Sequence, residues 1–348
     1  MREATDRPHT TTEAELLDAA RAGDGDAFGD LVGPLRGELR AYCYRMLGSV
    51  HDAEDVVQET LDRAWRGLGR VEHRGSFRPW LYRIATNRSL TLIERRGRRE
   101  LPADLRPDGP SAGDVAWLEP YPDRLMGWVD RLGPEARTLQ RESMELAFVA
   151  MLQHLTAVQR AALLLRDVLG YSAGEAAEVL DTSRPAVNSA LQRARKVLAA
   201  RRPEESQQQA LAALGEAGRR DVAQRYAEAW ESGDADAILA LLTEDARISM
   251  PPLTELYRGH AEIRIFLSEV LGQRWRVLPT EANGQLAFGT YAWDGRSAYQ
   301  PAGLDLITVR GSRIGEVVSF LTADFTSFGL PARLPEGYAR TRHAFAIV

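Results

Sequence analysis

The segment Asp52-Ala-Glu-Asp-Val-Val-Gln-Glu-Thr60 carries four carboxylates and no basic residue. Ser49 can cap a helix that starts there, and early acidic residues suit the positive end of a helix dipole. Asp55 and Glu59 lie one turn apart, and such a like-charge pair costs roughly 0.2–0.5 kcal/mol. Capping explains Asp52 but not Glu59, two turns into the helix. The segment therefore predicts an acidic helix with Asp52, Asp55 and Glu59 grouped on one face, where a basic partner surface would offset their repulsion.

A second helix is predicted from Phe77-Arg-Pro-Trp-Leu-Tyr-Arg-Ile-Ala-Thr-Asn87. Its apolar stripe recurs at helical spacing and is expected in the core: Phe77, Leu81 and Ile84. The remaining side chains are expected to point outward between arginines, namely Tyr82, Thr86 and Ser89 among Arg78, Arg83 and Arg88. Outward aromatic and basic side chains together can stack and hold single-stranded bases. Trp80, at the edge of the stripe, is either core filler or a wedge against a base step.

A helix-turn-helix pattern follows in residues 170–198. Ser172 and Glu175 form a capping box for the first helix, and Ser183 can cap the second after a turn at Asp181-Thr182. The second helix has a predicted buried stripe of Val187, Leu191, Ala194 and Leu198. Its opposite side carries the polar residues that a recognition helix in a major groove requires, which are Asn188, Ser189, Gln192, Arg193 and Lys196.

The charge distribution also favours nucleic-acid binding. The chain of 348 residues has a net charge of −5, yet residues 61–100 hold eleven arginines against four acidic residues, a local net charge of +7. Residues 182–203 hold six basic residues and no acidic one. For either segment alone, a solvated charged face is the ordinary explanation. Two such segments on patterned helices indicate a DNA-binding protein.

Composition excludes several other classes. The single cysteine, Cys43, rules out an intramolecular disulfide framework and a Cys-based zinc site. There is no signal-peptide pattern and no apolar run near the roughly 20 residues that span a bilayer. We therefore expect a cytoplasmic protein with no membrane contact, no metal and no other cofactor.

The texture of the chain predicts several blocks. Helical patterns fill residues 12–99 and 123–202, and a linker rich in Pro, Gly and Asp separates them in residues 100–122. A second joint is expected in residues 203–218. Residues 219–334 begin with helices and continue with segments of period two, such as Gln285–Trp293 and residues 303–309, which indicate an α+β domain. Residues 335–348 would form a C-terminal tail.

The three motifs, in this order, resemble the extracytoplasmic-function (ECF) group of bacterial sigma factors in the sigma-70 family. The resemblance covers roughly residues 12–99 and 140–200. It implies RNA polymerase core as a partner, bound through the β′ clamp helices and the β flap, with these contacts to the clamp: Asp52, Glu54, Asp55, Gln58 and Glu59. It also implies promoter DNA as a partner. The −10 element would meet Arg78, Trp80, Arg83, Asn87, Arg88, Arg95 and Arg96.

By the same resemblance, the −35 element would be read by the second helix of the helix-turn-helix, through Ser183, Arg184, Asn188, Ser189, Gln192, Arg193 and Lys196. This chain departs from the family at Asn188 and Ala190, where members often carry Lys or Arg. Its −35 contacts and sequence preference are therefore expected to differ from theirs.

Residues 221–250 resemble the opening of a SnoaL-like domain of the NTF2-like cone fold, an extension that a minority of these sigma factors carry. The expected fold is thus multidomain, with a helical bundle and a helix-turn-helix domain, both all-α, plus an α+β cone. A ligand pocket in the cone would involve Tyr226, Trp230, Trp275, Trp293 and Asp305. Core packing is the simpler explanation for most of these residues. No acid–base pair is evident, so we expect no catalytic residues and no enzyme.

Two hypotheses about function follow. The first is a sigma factor that binds polymerase, recognises and helps to melt promoters, and is regulated in cis by a cone packed against its helical domains. The second is a helix-turn-helix repressor fused to an NTF2-like enzyme or small-molecule sensor. The acidic helix favours the first hypothesis, because a repressor needs no contact with the polymerase clamp.

Overall fold

Capping side chains mark helix starts in the first helical domain. The computed structural model describes residues 12–70, 77–104, 115–201, 203 and 205–338. Thr12, Asp24 and Ser49 each accept a backbone hydrogen bond at a helix start, and Gly48 ends the second helix in the left-handed region. The helices are α1 (Glu13–Arg21), α2 (Gly25–Leu47), α3 (Val50–Gly67) and α4 (Phe77–Arg96).

The second half of α2 is enclosed by other helices. Residues 41–47 are buried on every side of the helix, including the charged Arg45. α3 and α4 cover one side of α2, and the helices of the second domain cover another. A helix that is buried all round belongs to the interior of a larger body. The two helical domains therefore pack as one unit.

The second helical domain starts with a 3-10 stretch, Asp123–Arg131, and contains the helix-turn-helix. Its α-helices are α5 (Pro134–Glu142), α6 (Leu146–Gln153), α7 (Ala157–Leu163), α8 (Ala173–Val179) and α9 (Arg184–Ala199). Helix α7 continues into a π-helical turn, Leu164–Val168.

The last domain is a curved sheet with helices on one face. Its elements are α10 (Gln207–Ser232), α11 (Ala235–Leu241), β1 (Leu242–Ser249), β2 (Leu256–Arg258), α12 (Gly259–Val270), β3 (Trp275–Ala282), β4 (Gln285–Trp293), β5 (Ala298–Arg310), β6 (Arg313–Phe320) and β7 (Leu334–Pro335). Helix α10 is kinked at Gly215, where φ is 65°. The sheet order is β2-β1-β6-β5-β4-β3, antiparallel except for the parallel pair β1–β6, with β7 added to β5.

The sheet buries both of its faces. One apolar cluster lies between the sheet and α10–α12. The other joins the opposite face to the cores of both helical domains, through residues such as Leu278, Ala287 and Leu304. The expected packing of the cone against the helical domains is therefore present. It is an extended apolar contact, the kind that resists relative domain motion.

The connecting segments are more structured than their composition suggests. Residues 207–214, within the expected joint, form the first turns of α10. Within the expected linker, Pro102–Asp104 is a short 3-10 turn, and residues 115–122 lack helix and strand but form isolated β-bridges, Trp117 with Glu100 and Pro122 with Ala282. Residues 105–114 of the linker and 339–348 of the predicted tail lie outside the described residues. Hydrogen bonds between the domains hold these connecting segments in place.

Candidate functional site

The acidic residues of α3 are divided between the interior and the surface. Ser49 Oγ accepts from the backbone N–H of Asp52 at 3.1 Å, as its position predicts. The side chain of Asp52 is buried and pairs with Arg96 and, at 2.7 Å, with Arg99. Arg96, the last residue of α4, and Arg99, three residues further along the chain, enclose this carboxylate. Asp52 is therefore enclosed, whereas Asp55, expected on the same face, is exposed.

Two further carboxylates of α3 are engaged with arginines. Glu54 accepts from Arg36 at 2.8 Å and from Arg40 at 2.5 Å. Partial burial alone would raise the pKa of Glu54, but these hydrogen bonds lower it to about 2. Glu59 pairs with Arg63 at 2.8 Å and with Arg88 at 2.6 Å. Partial burial opposes the change, but the two arginines lower the pKa of Glu59.

Asp55 and Gln58 are the exposed members of this set. Gln58 Nε2 donates a hydrogen bond to Glu54 at 2.9 Å. Because the amide of Gln58 is uncharged, this bond leaves the negative charge of the surface unchanged. Asp55 lies one turn before Glu59 on the solvent side of α3. The surface available to a basic partner is thus centred on Asp55 and Gln58, with Glu54 and Glu59 half-buried beside them.

Helix α4 is covered on two sides, which corrects one expectation. Tyr82, Thr86 and Ser89 are fully buried rather than outward. The Tyr82 ring lies between Tyr42 of α2, at 5.2 Å, and Tyr171, just before α8, at 5.7 Å between centroids. Thr86 Oγ1 is 2.7 Å from the Tyr42 hydroxyl. No aromatic stacking surface is open here, because the second helical domain closes over it.

The basic residues of α4 are also drawn into contacts. Arg78 pairs with Glu38 at 2.5 Å and lies over the rings of Tyr82 and Tyr171. Arg83 pairs with Asp181, at the turn of the helix-turn-helix, at 3.5 Å. Arg88 and Arg96 hold Glu59 and Asp52 as described above.

The other predicted −10 residues differ in exposure. Asn87 and Arg95 are exposed. Trp80 is half-buried, 6.1 Å from Phe77 between ring centroids, and fills the space beside Gly67. Trp80 therefore serves as packing in this conformation.

The helix-turn-helix has the predicted caps and faces. Ser172 and Glu175 form the capping box, with hydrogen bonds of 2.7 and 3.2 Å. Ser183 Oγ accepts from Ala186 N–H at 3.3 Å. Val187, Leu191 and Ala194 of the predicted stripe are buried, and so is Ala190, whereas Leu198, the last residue of that stripe, is half-buried. On the other side of α9, Arg184, Asn188, Gln192, Arg193 and Lys196 are exposed, and the half-buried Ser189 accepts a hydrogen bond from Arg193 at 2.8 Å.

Asn283, at the turn between β3 and β4, joins all the domains. It is fully buried, at a φ of 56°. It exchanges hydrogen bonds with the backbone of Tyr121: its N–H donates to O at 2.9 Å, and its Oδ1 accepts from N–H at 2.7 Å. Its Nδ2 donates to the Tyr44 hydroxyl of α2 at 2.9 Å and to the Met144 carbonyl at 2.8 Å. One side chain thus ties the cone to the linker and to both helical domains.

Further hydrogen bonds surround Asn283. Gly284 N–H donates to Asp123 Oδ1 at 2.8 Å, and Leu146 N–H donates to Gln285 Oε1 at 2.9 Å. Burial raises the pKa of Asp123 to about 7, although the hydrogen bond from Gly284 opposes the shift. The Asn283-Gly284 pair is visible in the sequence as a turn. Nothing local indicates its interdomain partners.

Two buried arginines lie where the helical domains meet. Arg45 donates to Gln140 at 3.0 Å and to Ser143 at 2.6 Å, and Arg160 donates to the Met46 carbonyl. Burial lowers the pKa of Arg160 to about 10. Neither pairs with a carboxylate among the described residues, so this junction buries charge at an electrostatic cost. Nothing in the local sequence marks either arginine as functional.

The cone holds a small cavity lined by three of the five predicted pocket residues, Trp230, Trp275 and Asp305. Tyr226 does not line the cavity, but its hydroxyl donates a hydrogen bond to Asp305 at 2.8 Å. Trp293 lies elsewhere, packed on Tyr299 at 5.1 Å. The cavity volume is about 160 Å³. In the described part of the chain, no helix is long and apolar enough to cross a membrane, and no cluster of three potential metal ligands occurs.

Sequence models of three families match successive parts of the chain. The Sigma-70 region 2 model matches residues 31–99, which contain α3 and α4. The model of Sigma-70, region 4 matches residues 145–198, which contain the helix-turn-helix, and the SnoaL-like domain model matches residues 223–324 of the cone. The class is therefore that of the sigma-70-type initiation factors, here with a SnoaL-like domain. A repressor fused to an enzyme does not account for region 2.

Individual relatives narrow the class. Over 326 residues the chain is 42% identical to the ECF RNA polymerase sigma factor SigG of Mycobacterium tuberculosis, covering 90% of this chain and 86% of that protein. It is 28% identical to SigJ of that organism, over 89% and 96% of the two chains. The crystal structure of SigJ shares the fold, with a TM-score of 0.54 at 23% identity over 85% of this chain and 98% of that one. The chain belongs to the family of ECF RNA polymerase sigma factors.

Proposed function

We propose that this sigma factor docks the outer face of α3 on the β′ clamp helices, contacts the β flap with its second helical domain, and reads promoter DNA with α4 and α9. We further propose that the conformation described here is closed and inactive, and that the SnoaL-like domain holds it closed. Because a factor that acts on RNA polymerase works where the polymerase is, we propose that the protein is located in the cytoplasm. The role proposed for the cone is regulatory, with no chemical step.

The contact between α4 and the helix-turn-helix supports the closed form. The −10 and −35 elements lie about 25 base pairs apart, or about 85 Å along B-DNA at 3.4 Å per base pair. In this structure the helix proposed for −10 and the domain proposed for −35 touch through Tyr82 and Tyr171, 5.7 Å apart, and through Arg83 and Asp181. Two surfaces in direct contact cannot occupy both elements. Binding to a promoter therefore requires that the helical domains separate.

The cone adds contacts that oppose this separation, beside the direct contacts between the helical domains at Arg45 and Arg160. Asn283 bonds to both helical domains and to the linker. An ordered linker cannot extend to span two promoter elements, because residues 115–122 lie against the cone. Release of the cone would free the linker and leave the second helical domain held only by its direct contacts with the first. We therefore propose that the cone inhibits, and that its release activates.

The polymerase surface is tested with Asp55→Arg, because Asp55 is exposed and its replacement leaves the core intact. We expect affinity for core polymerase to fall roughly 30-fold or more, since a desolvated charge pair lost at an interface costs about 2–5 kcal/mol. The matched control is Glu269→Arg, the same charge change on exposed α12 of the cone. Equal affinities of the two variants for core enzyme would refute the assignment of α3.

The closed form is tested by run-off transcription with core polymerase. A chain that ends at Arg201, after α9, lacks the cone and should be several-fold more active than the full chain. Small-angle scattering of the full chain should give a compact envelope. Equal transcription by both chains, together with an extended envelope for the full chain, would show that the cone does not inhibit.

A further inference from the structure

The cavity of the cone lies outside the surfaces proposed for polymerase and DNA. It has a volume of about 160 Å³ and mainly apolar walls. These include the rings of Trp230 and Trp275, which meet edge to face with centroids 5.4 Å apart. An apolar cavity of about 150 Å³ can hold benzene. The space therefore suits a molecule with a single ring or a short branched chain.

One acidic side chain faces this apolar space. Asp305 is 3% exposed and accepts a hydrogen bond from the Tyr226 hydroxyl of α10 at 2.8 Å. Burial raises the pKa of Asp305 to about 6, and hydrogen bonds from Ser319 and Tyr226 oppose that shift. Around the cavity the described residues offer Asp305 hydroxyl groups but no basic side chain. Above pH 6 the cavity thus contains a buried anion without a cation.

An anion buried in this way is costly unless a positive charge accompanies it. Folding has already removed the Asp305 carboxylate from water, so mainly the dehydration of an incoming cation opposes pairing. Trp faces attract cations that lie within about 6 Å of the ring centroid. A neutral hydrocarbon would gain only apolar contacts, and an anion would be repelled.

We propose that the cone binds a small organic amine, with its ammonium group on Asp305 and its hydrocarbon part against Trp230 and Trp275. The volume selects the size of the ligand, and the unpaired carboxylate selects its charge. Tyr226 acts as a positioning residue, because its hydrogen bond orients the carboxylate. The site would make the SnoaL-like domain a sensor of amines.

The cavity also borders the interdomain contact. Met250 and Leu321 line the cavity, and their neighbours Pro251 and Phe320 line a cleft shared with the start of α3 and the linker. Leu321 N–H donates to the Pro251 carbonyl at 3.1 Å, which joins the two segments. An occupied cavity would therefore act on the segments that support the closed form. This consequence rests on the proposed function, whereas amine binding itself does not.

Calorimetric titration of the full chain at pH 8 tests the site with benzylamine, benzyl alcohol and toluene, which share a ring and differ in charge. Benzylamine should bind about tenfold or more tightly than the other two. Asp305→Asn removes the charge and keeps an acceptor for Tyr226, so it should abolish this preference and retain toluene. Ala302→Phe, which fills the cavity, should remove binding of all three.

Equal affinities for the three compounds, or a preference for benzylamine that survives in Asp305→Asn, would overturn the amine assignment. Failure of the wild-type chain to bind any of them would overturn the site. Run-off transcription with benzylamine tests the coupling, with Asp305→Asn as the matched control. If benzylamine binds and transcription is unchanged, the proposed coupling between the cavity and the closed form is wrong. The proposed closed form is tested separately: it fails if removal of the cone leaves transcription unchanged.

Discussion

Replacing Asn283 with alanine should open the closed form. The wild-type side chain makes three interdomain hydrogen bonds, to Tyr121 N–H, the Tyr44 hydroxyl and the Met144 carbonyl, at 2.7 to 2.9 Å. Each contributes about 0.5–1.5 kcal/mol, and buried partners left unsatisfied add to the loss. Alanine at a positive φ costs about 1–2 kcal/mol more. We expect docking of the cone to weaken by about 3–6 kcal/mol in total.

Hydrogen exchange of residues 115–122 measures this opening. The amide of Tyr121 is bonded to Asn283 only while the cone is docked. Since about 1.4 kcal/mol corresponds to a tenfold change, its exchange should accelerate by roughly 10² to 10⁴. Run-off transcription by Asn283→Ala should rise several-fold in parallel, because separation of the helical domains no longer has to break the contacts with the cone.

Asn283→Gly is the matched control for backbone conformation. Glycine adopts the positive φ without strain but also lacks the three hydrogen bonds, so its effect should be smaller than that of alanine by about 1 kcal/mol. Wild-type exchange at Tyr121 in both variants would refute the reasoning that Asn283 holds the domains together. Faster exchange with unchanged transcription would instead separate docking from inhibition.

Two further predictions concern DNA and pH. Arg193→Ala should cost about 1–3 kcal/mol at the cognate −35 sequence and reduce discrimination there. Arg95→Ala, at an exposed residue of α4, should weaken all promoters alike and lower the salt dependence. Competition binding at two salt concentrations distinguishes the two variants, and identical losses on every sequence would contradict the role of α9. Asp123 has a pKa raised to about 7 by burial in the docked state, against an ordinary 3.8. Docking should therefore be strongest at low pH and weaken as pH rises from about 4 to 7, by a few kcal/mol at most. Asp123→Asn should flatten this profile in hydrogen exchange of residues 115–122, and an unchanged profile would place the titration elsewhere.

Much of the local structure follows directly from the sequence. Ser49, Ser172 and Ser183 begin the predicted helices because a capping side chain bonds to backbone within three residues. The buried stripe of α9 is likewise set by periodicity along one element, whereas β4, expected from its period of two, is buried on both faces over residues 285–291. The motifs and their order identified the family. The exposed face of α9 could be predicted because this helix packs only against its own domain, so its polar side stays uncovered.

Only the tertiary structure decided which surfaces are accessible. Helical periodicity assigns one inner face, yet α4 is enclosed on two sides, so Tyr82 is buried by Tyr171 from a distant part of the chain. Asp52 belongs to an acidic motif but lies between Arg96 and Arg99. Asn283 reads as an ordinary turn residue, and its partners come from segments more than 130 residues away. Burial depends on everything that packs against a residue, and long-range packing leaves no period in the local sequence.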